Sequence, residues 1–189
     1  MQRTFIALMV DPQKEMSDCI LKLQNVLGME RIKWVDPGKL HITLRFLGDT
    51  RPALISATTR ILAETVPEFN SPEIVFRGLG LFRSIRDPRV LWIGMAPSPL
   101  LLELKNVLDQ KLAGLGFPAE ERKFSPHLTL ARIKSIKNPD LLKGLLAGYR
   151  DYYFQKSRME KLIYYESILR SRGPEYIPLK MVSFKYAPS

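Results

Sequence analysis

The sequence contains almost no cysteine: Cys19 stands alone in 189 residues. That rules out an internal disulfide and any cysteine-based zinc site, and the missing disulfide framework fits a reducing, cytoplasmic setting. Cys19 falls beside Ile20 on a helical pattern and reads as a packing residue. Long apolar runs are also missing, so no membrane span is expected. The first ten residues combine Arg3 with a short apolar stretch that meets Asp11-Pro12 without a small-residue cleavage site. They read as a first strand rather than a signal peptide. No glycine-rich phosphate loop ending in Lys-Ser/Thr occurs, since Gly78-Leu-Gly80 alone is too weak a signal. Ser125 lacks the glycine-flanked elbow of a serine nucleophile. Acidic residues are outnumbered, 19 against 29 Lys plus Arg, for a net charge of +10. The basic residues are spread along the chain, which suits a surface that attracts RNA or DNA, or simply a basic soluble protein.

What is present is a plan that occurs twice. Phe5-Ile-Ala-Leu-Met9 and Leu91-Trp-Ile-Gly-Met95 are strand-like and begin 86 residues apart. Asp11-Pro12 and Ser98-Pro99 then supply helix-start chemistry. Met16, Ile20, Leu23 and Leu27 in one half, and Leu101, Leu104, Leu108 and Leu112 in the other, recur at helical spacing. Each half continues into a β-rich segment opening on His41 or His127. A second helix follows (52–64 and 139–149), then a further strand (73–82 and 159–169). A last strand over 177–184 is matched to the 90–95 region. The expected fold is α+β: two pseudo-twofold-related β-sheet lobes, about 1–86 and 87–189, with helices on the outer faces, a central cleft, and strands open to exchange between lobes.

His41 and His127 are the only histidines in the chain, 86 residues apart, and each is followed by Thr two positions later and Leu three later. Residues i and i+2 of a strand share a face, so each strand offers an imidazole and a hydroxyl together: His41 with Thr43, His127 with Thr129. Ile42, Leu44 and Phe46 alternate to the other side. Two imidazoles facing one cleft suit general acid–base catalysis of phosphoryl transfer, because one can be neutral while the other is charged near neutral pH. Thr hydroxyls and an Arg fork can hold phosphate oxygens. Two histidines without clustered carboxylates make a poor metal site, so neither metal nor cofactor is expected.

The motifs His41-Ile-Thr-Leu-Arg-Phe-Leu-Gly48-Asp49 and Phe124-Ser-Pro-His-Leu-Thr-Leu-Ala-Arg132 resemble those of the two-histidine (2H) phosphoesterases. They are most similar to those of the RNA 2′,3′-cyclic phosphodiesterases, formerly called 2′-5′ RNA ligases. Arg3-Thr-Phe-Ile-Ala7, Trp34, Arg89-Val-Leu-Trp-Ile-Gly94 and the 162–169 stretch extend the resemblance over nearly the whole chain. The resemblance implies metal-independent hydrolysis of a 2′,3′-cyclic phosphate on RNA ends or nucleotides to a 2′-phosphomonoester. By analogy His41 is the general acid, His127 the general base, and Thr43, Thr129 and Arg132 bind phosphate. Ligase activity stays open, as does a non-catalytic RNA- or nucleotide-binding module on the same fold. A monomer is expected.

Simple alternation raises questions about several contacts. It turns Arg132 away from His127, so a strand end or bulge must re-aim it. Arg45 has the right parity to be a rival phosphate ligand, or it is a solvated charge. Phe46 is placed in the core by parity, with base stacking as the other reading. Trp34 suits packing or base stacking. Arg83, Arg86 and Arg89 lie in a loop between strands, where they can meet RNA phosphates or only solvent. Lys33, Lys39, Arg122 and Lys123 precede the two motifs and add positive field at the cleft mouth.

Overall fold

The computed structural model describes residues 1–121, 123–171 and 173–185. Its elements run β1 (Gln2–Met9), α1 (Lys14–Val26), β2 (Arg31–Trp34), β3 (His41–Thr50), α2 (Pro52–Thr65), β4 (Glu73–Ser84), β5 (Asp87–Met95), α3 (Pro99–Ala113), β6 (Leu128–Ser135), α4 (Pro139–Gly148), β7 (Tyr153–Arg158), β8 (Lys161–Arg170) and β9 (Gly173–Ser183).

The helices form where the apolar spacing places them. Met16, Ile20 and Leu23 of α1 and Leu101, Leu104, Leu108 and Leu112 of α3 are all buried. Ser98 caps α3, accepting from the Leu101 amide at 3.4 Å with Pro99 at the first position. The matching signal at Asp11-Pro12 does not start α1, which begins at Lys14 after Gln13. The four helices lie on one face of the sheet, and their buried side chains join the inward residues of the strands in one main core. No helix among the described residues is long and apolar enough to cross a membrane.

The strands form one antiparallel sheet in the order β7-β4-β5-β6-β3-β1-β8-β9, with β2 beside β6. The sheet runs continuously through both halves of the chain, but they join only narrowly. β3 and β6 pair through a single residue pair, Ile42 opposite Leu128, whereas neighbouring strands pair along their length. β4 follows α2 in sequence yet pairs with β5 and β7, while β8 pairs with β1 and β9. β2 and β7 are short strands that the sequence reading missed. β9 lies outside β8 as β7 lies outside β4, so it matches β7 and not the 90–95 strand.

β3 and β6 each carry a β-bulge at the same point. In β3, Ala7 faces Thr43 and Ile6 faces Arg45, so Leu44 is the extra residue. In β6, Trp92 faces Thr129 and Leu91 faces Ala131, so Leu130 is extra. An extra residue reverses the in-out alternation of everything beyond it. Leu44 and Arg45 are consecutive buried residues, as are Leu130 and Ala131, and Phe46 and Arg132 turn to the opposite, open face.

Candidate active site

The single β3–β6 pair determines what meets on the open face. Ile42 and Leu128 point into the core, so the residues flanking them project the other way. His41, Thr43, His127 and Thr129 therefore converge at the junction, all partly exposed. Residues 86 apart in the chain become neighbours because their strands run antiparallel across one contact.

Both imidazoles are held alike. Nδ1–H of His41 donates to the Lys39 carbonyl at 2.7 Å, and Nδ1–H of His127 donates to the Ser125 carbonyl at 2.9 Å. A carbonyl only accepts, so Nδ1 carries hydrogen in each ring and Nε2 is left to take or give the working proton. Asp36 accepts from the Gly38 amide at 2.9 Å and stabilises the turn that presents the Lys39 carbonyl.

Aromatic rings fix each imidazole from the side. Tyr176 meets His41 edge-on, with centroids 5.3 Å apart, and Phe5 lies at the same distance. Phe82 meets His127 perpendicularly at 4.6 Å, with Trp92 at 6.4 Å. Phe5, Ala7, Ile163 and Tyr165 form a small second apolar cluster on this face, with Tyr176 against it. Burial lowers the His41 pKa below the usual 6.5, the Lys39 carbonyl opposes the shift, and the charge of nearby His127 adds to it. The two rings are thus close enough to influence each other's proton.

Neither Thr43 nor Thr129 spends its hydroxyl on a partner among the described residues. Arg132 lies on the open face opposite Val90 and Lys33, and forms no ion pair with any described carboxylate. The bulge thus re-aims Arg132, as the sequence reading required.

Other expected contacts lie elsewhere. Arg45 passes the bulge into the core. It is 3% exposed, its guanidinium donates to the Pro118 carbonyl, and it pairs with Asp109 at 3.3 Å and Glu120 at 3.5 Å. It is not available to phosphate. Trp34 faces Ala131 and, partly buried, packs against the main core. Phe46 reverses the parity expectation: it is 62% exposed and its ring lies 5.9 Å from Phe5. Arg83, Arg86 and Arg89 lie at a tight β4–β5 hairpin, where Arg83 and Arg89 both pair with Asp87 and Arg86 is exposed. Lys39 donates to the Pro174 carbonyl at 3.2 Å. Arg122 lies outside the described residues.

Sequence reasoning missed Phe5, Phe82, Trp92 and Tyr176. One signal for Trp92 was available. Gly80, inside β4, leaves room for the Trp92 ring: a Cβ there would stand 2.2 Å from it. Gly78, with φ +78°, lets the Arg150 carbonyl approach, so this glycine pair serves packing and not phosphate. A separate hollow of about 550 Å³ lies between α1 and the end of α4, lined by Cys19, Tyr149 and Tyr152 among others, away from the histidines. Among the described residues, no group of three or more His, Cys, Asp or Glu side chains is placed to hold a metal ion.

Comparison with known proteins matches this arrangement to one family. The model of LigT-like phosphoesterases matches twice in tandem, over residues 10–92 and 93–176. The RNA 2′,3′-cyclic phosphodiesterase of Archaeoglobus fulgidus is 34% identical over 180 residues, covering 95% of this chain and 98% of the relative. That of Thermotoga maritima is 33% identical over 188 residues, covering 97% and 96%. Among solved structures, a Thermus thermophilus protein, TT0787, superposes with a TM-score of 0.76 at 24% identity, covering 96% and 97% of the two chains. LigT of E. coli, in complex with 3′-AMP, gives 0.69 at 24% identity, covering 97% and 98%. With its doubled strand–helix plan and paired His-x-Thr strands, the chain belongs to the LigT-like phosphoesterase family.

Proposed function

We propose that this protein hydrolyses 2′,3′-cyclic phosphates at RNA ends or on nucleotides, leaving a 2′-phosphomonoester. The observation that carries the reading is the pair of imidazoles on one face of the β3–β6 junction, each with Nδ1 tied to a backbone carbonyl and Nε2 left for proton transfer. The curated relatives' names, RNA 2′,3′-cyclic phosphodiesterase, supply the substrate class.

In this reading the phosphorus sits between the rings. His127 Nε2 takes a proton from water as the water oxygen bonds to phosphorus. The P–O3′ bond breaks, and His41 Nε2 protonates the departing 3′ oxygen. Thr43, Thr129 and Arg132 hold the non-bridging oxygens. In the free protein, burial and the His127 charge disfavour protonated His41. A phosphate anion between the rings offsets both effects, so His41 takes up its proton as substrate binds. The donor set gives a divalent metal little to hold, and the reaction proceeds without one. Phe46, exposed beside Phe5, offers a stacking surface to the nucleobase. The net charge of +10 favours an RNA end and keeps like-charged copies apart as monomers, and the single buried cysteine suits the cytoplasm.

The test is incubation with a 2′,3′-cyclic-phosphate-ended oligonucleotide in EDTA, reading the position of the product phosphate. A 2′-phosphomonoester from wild type, lost in His41→Ala and His127→Ala, is expected. No product, or product unchanged in both variants, refutes the reading.

A further inference from the structure

Tyr176 belongs to the site by position but has no part in the two-imidazole chemistry. Its ring lies 5.3 Å from His41 and 5.0 Å from Phe5, both edge-on. Among the described residues its hydroxyl has no hydrogen-bond partner. The segment before it is anchored to the catalytic loop, because Lys39, whose carbonyl orients His41, also donates to the Pro174 carbonyl. Burial raises the Tyr176 pKa and keeps the hydroxyl a neutral donor, while the charges of Arg132 and Arg3 pull the other way. β1 pairs with β8 at Thr4 and Glu166, and β8 pairs with β9 at Ser167 and Tyr176, so Arg3 stands beside Ser167 and level with Tyr176 on the same open face.

Arg132 is already engaged with the reacting phosphate in the proposed mechanism, but Arg3 has no such role. It shares the open face of β1 with Phe5, two residues along, opposite Asp49. It is exposed and forms no ion pair with Asp49 or any other described carboxylate. A cation and a hydroxyl donor without protein acceptors, beside an aromatic surface, make a place for an anion.

The order along β1 indicates which anion. Met9 stands opposite His41, then come Ala7, Phe5 with its partner Phe46, and finally Arg3. Arg3 lies beyond the aromatic surface from the imidazoles, so a nucleoside stacked on that surface stands between the scissile phosphorus and Arg3. A nucleoside spans from its 3′ phosphorus to its own 5′ phosphate, which in RNA is the diester to the preceding residue.

We propose that Arg3 and Tyr176 form a subsite for the phosphodiester 5′ to the terminal nucleotide, so that the enzyme favours RNA ends over mononucleotides. This rests on the cyclic phosphodiesterase reading above. Hydrolysis of a dinucleotide ending in a 2′,3′-cyclic phosphate is compared with hydrolysis of the matching mononucleoside 2′,3′-cyclic phosphate. Wild type is expected to show a kcat/KM ratio of about tenfold or more in favour of the dinucleotide, the scale of one charge-assisted hydrogen bond. Arg3→Gln, and Tyr176→Phe, which keeps the ring on His41 and removes only the oxygen, should bring the ratio toward one. Added salt should depress the dinucleotide rate more than the mononucleotide rate, and Arg3→Gln should erase that difference. Wild-type hydrolysis of both substrates without preference, or variants that lower both equally, overturns the subsite alone. Hydrolysis of neither overturns the phosphodiesterase reading and the subsite with it.

Discussion

Phe46 and Arg132 stand at equivalent positions, each five residues beyond a histidine and each turned to the open face by the same one-residue bulge. Here the pseudo-twofold symmetry of the site breaks: one half presents a ring and the other a guanidinium. A substrate with an apolar base at one end and an anion at the other has one favoured orientation, base toward His41's half and phosphate charge toward Arg132.

This polarity predicts different losses at the two positions. Phe46→Ala removes stacking of about 1–3 kcal/mol per base, and the loss should appear chiefly in KM. An abasic ribose 2′,3′-cyclic phosphate should be indifferent to that change. Arg132→Ala should lower kcat on both substrates, and Arg132→Lys should restore only part, because a point charge cannot replace a planar fork. Equal sensitivity of the abasic and nucleoside substrates to Phe46→Ala would remove the base from this surface.

The acid and base assignment can be tested by changing the leaving group. Replacing the 3′ oxygen of the cyclic phosphate with sulfur gives a thiolate that departs without a proton. His41→Ala should lose on the order of 10²–10⁴ in kcat on the oxygen substrate and most of that deficit should vanish with sulfur. His127→Ala should remain slow on both. Rescue of His127→Ala instead would exchange the two roles.

The pH dependence has a defined sign. His41 titrates below the usual 6.5, with burial as the main cause and the charge of His127 adding to it. The limb of the kcat/KM profile belonging to His41 should fall on the acid side of an ordinary imidazole. His127→Gln removes one cause and should move the His41 titration upward. With two histidines in the chain, proton NMR can follow each ring separately. A His41 titration untouched by His127→Gln would place the rings out of each other's reach. The same shift affects folding. Below about pH 6.5 the unfolded chain protonates this ring before the folded one does, so its contribution to stability declines as pH falls through the folded pKa.

The site was legible in the sequence to the extent that it is local. His-x-Thr on a strand fixes which side chains share a face, and two copies at one offset identify the strands that must meet. What alternation cannot supply is the bulge. The bulge depends on how β3 pairs with β1, and β6 with β5, and it exchanges Arg45 for Phe46 at the open face. Tyr176 was hidden for a similar reason: it reaches His41 from β9, three strands away in the sheet. The helices needed no such long-range information, since their apolar stripes sit at fixed spacing.

Arg45 supplies the last prediction because the structure gives it a role unlike the one its parity implied. With Lys105 it faces Asp109 and Glu120, two cations and two carboxylates, with the cations almost wholly buried. Lys105 also lies 5.4 Å from the centre of the Phe124 ring, immediately before the Ser125 carbonyl that orients His127. The cluster thus ties β3, from the first motif, to the segment that delivers the second. Arg45→Met leaves two carboxylates to one cation. Removing one partner of a fully buried pair costs about 3–5 kcal/mol, and the one-third exposure of Asp109 and Glu120 argues for roughly 2–4 here. In a chain of this length that lowers Tm by roughly 5–10 °C. Adding Glu120→Gln rebalances the charge and should recover part of the loss. Below its Tm, Arg45→Met should show reduced kcat through a less well-oriented His127, with KM little changed. An unchanged Tm with a raised KM would instead place the Arg45 guanidinium on the substrate.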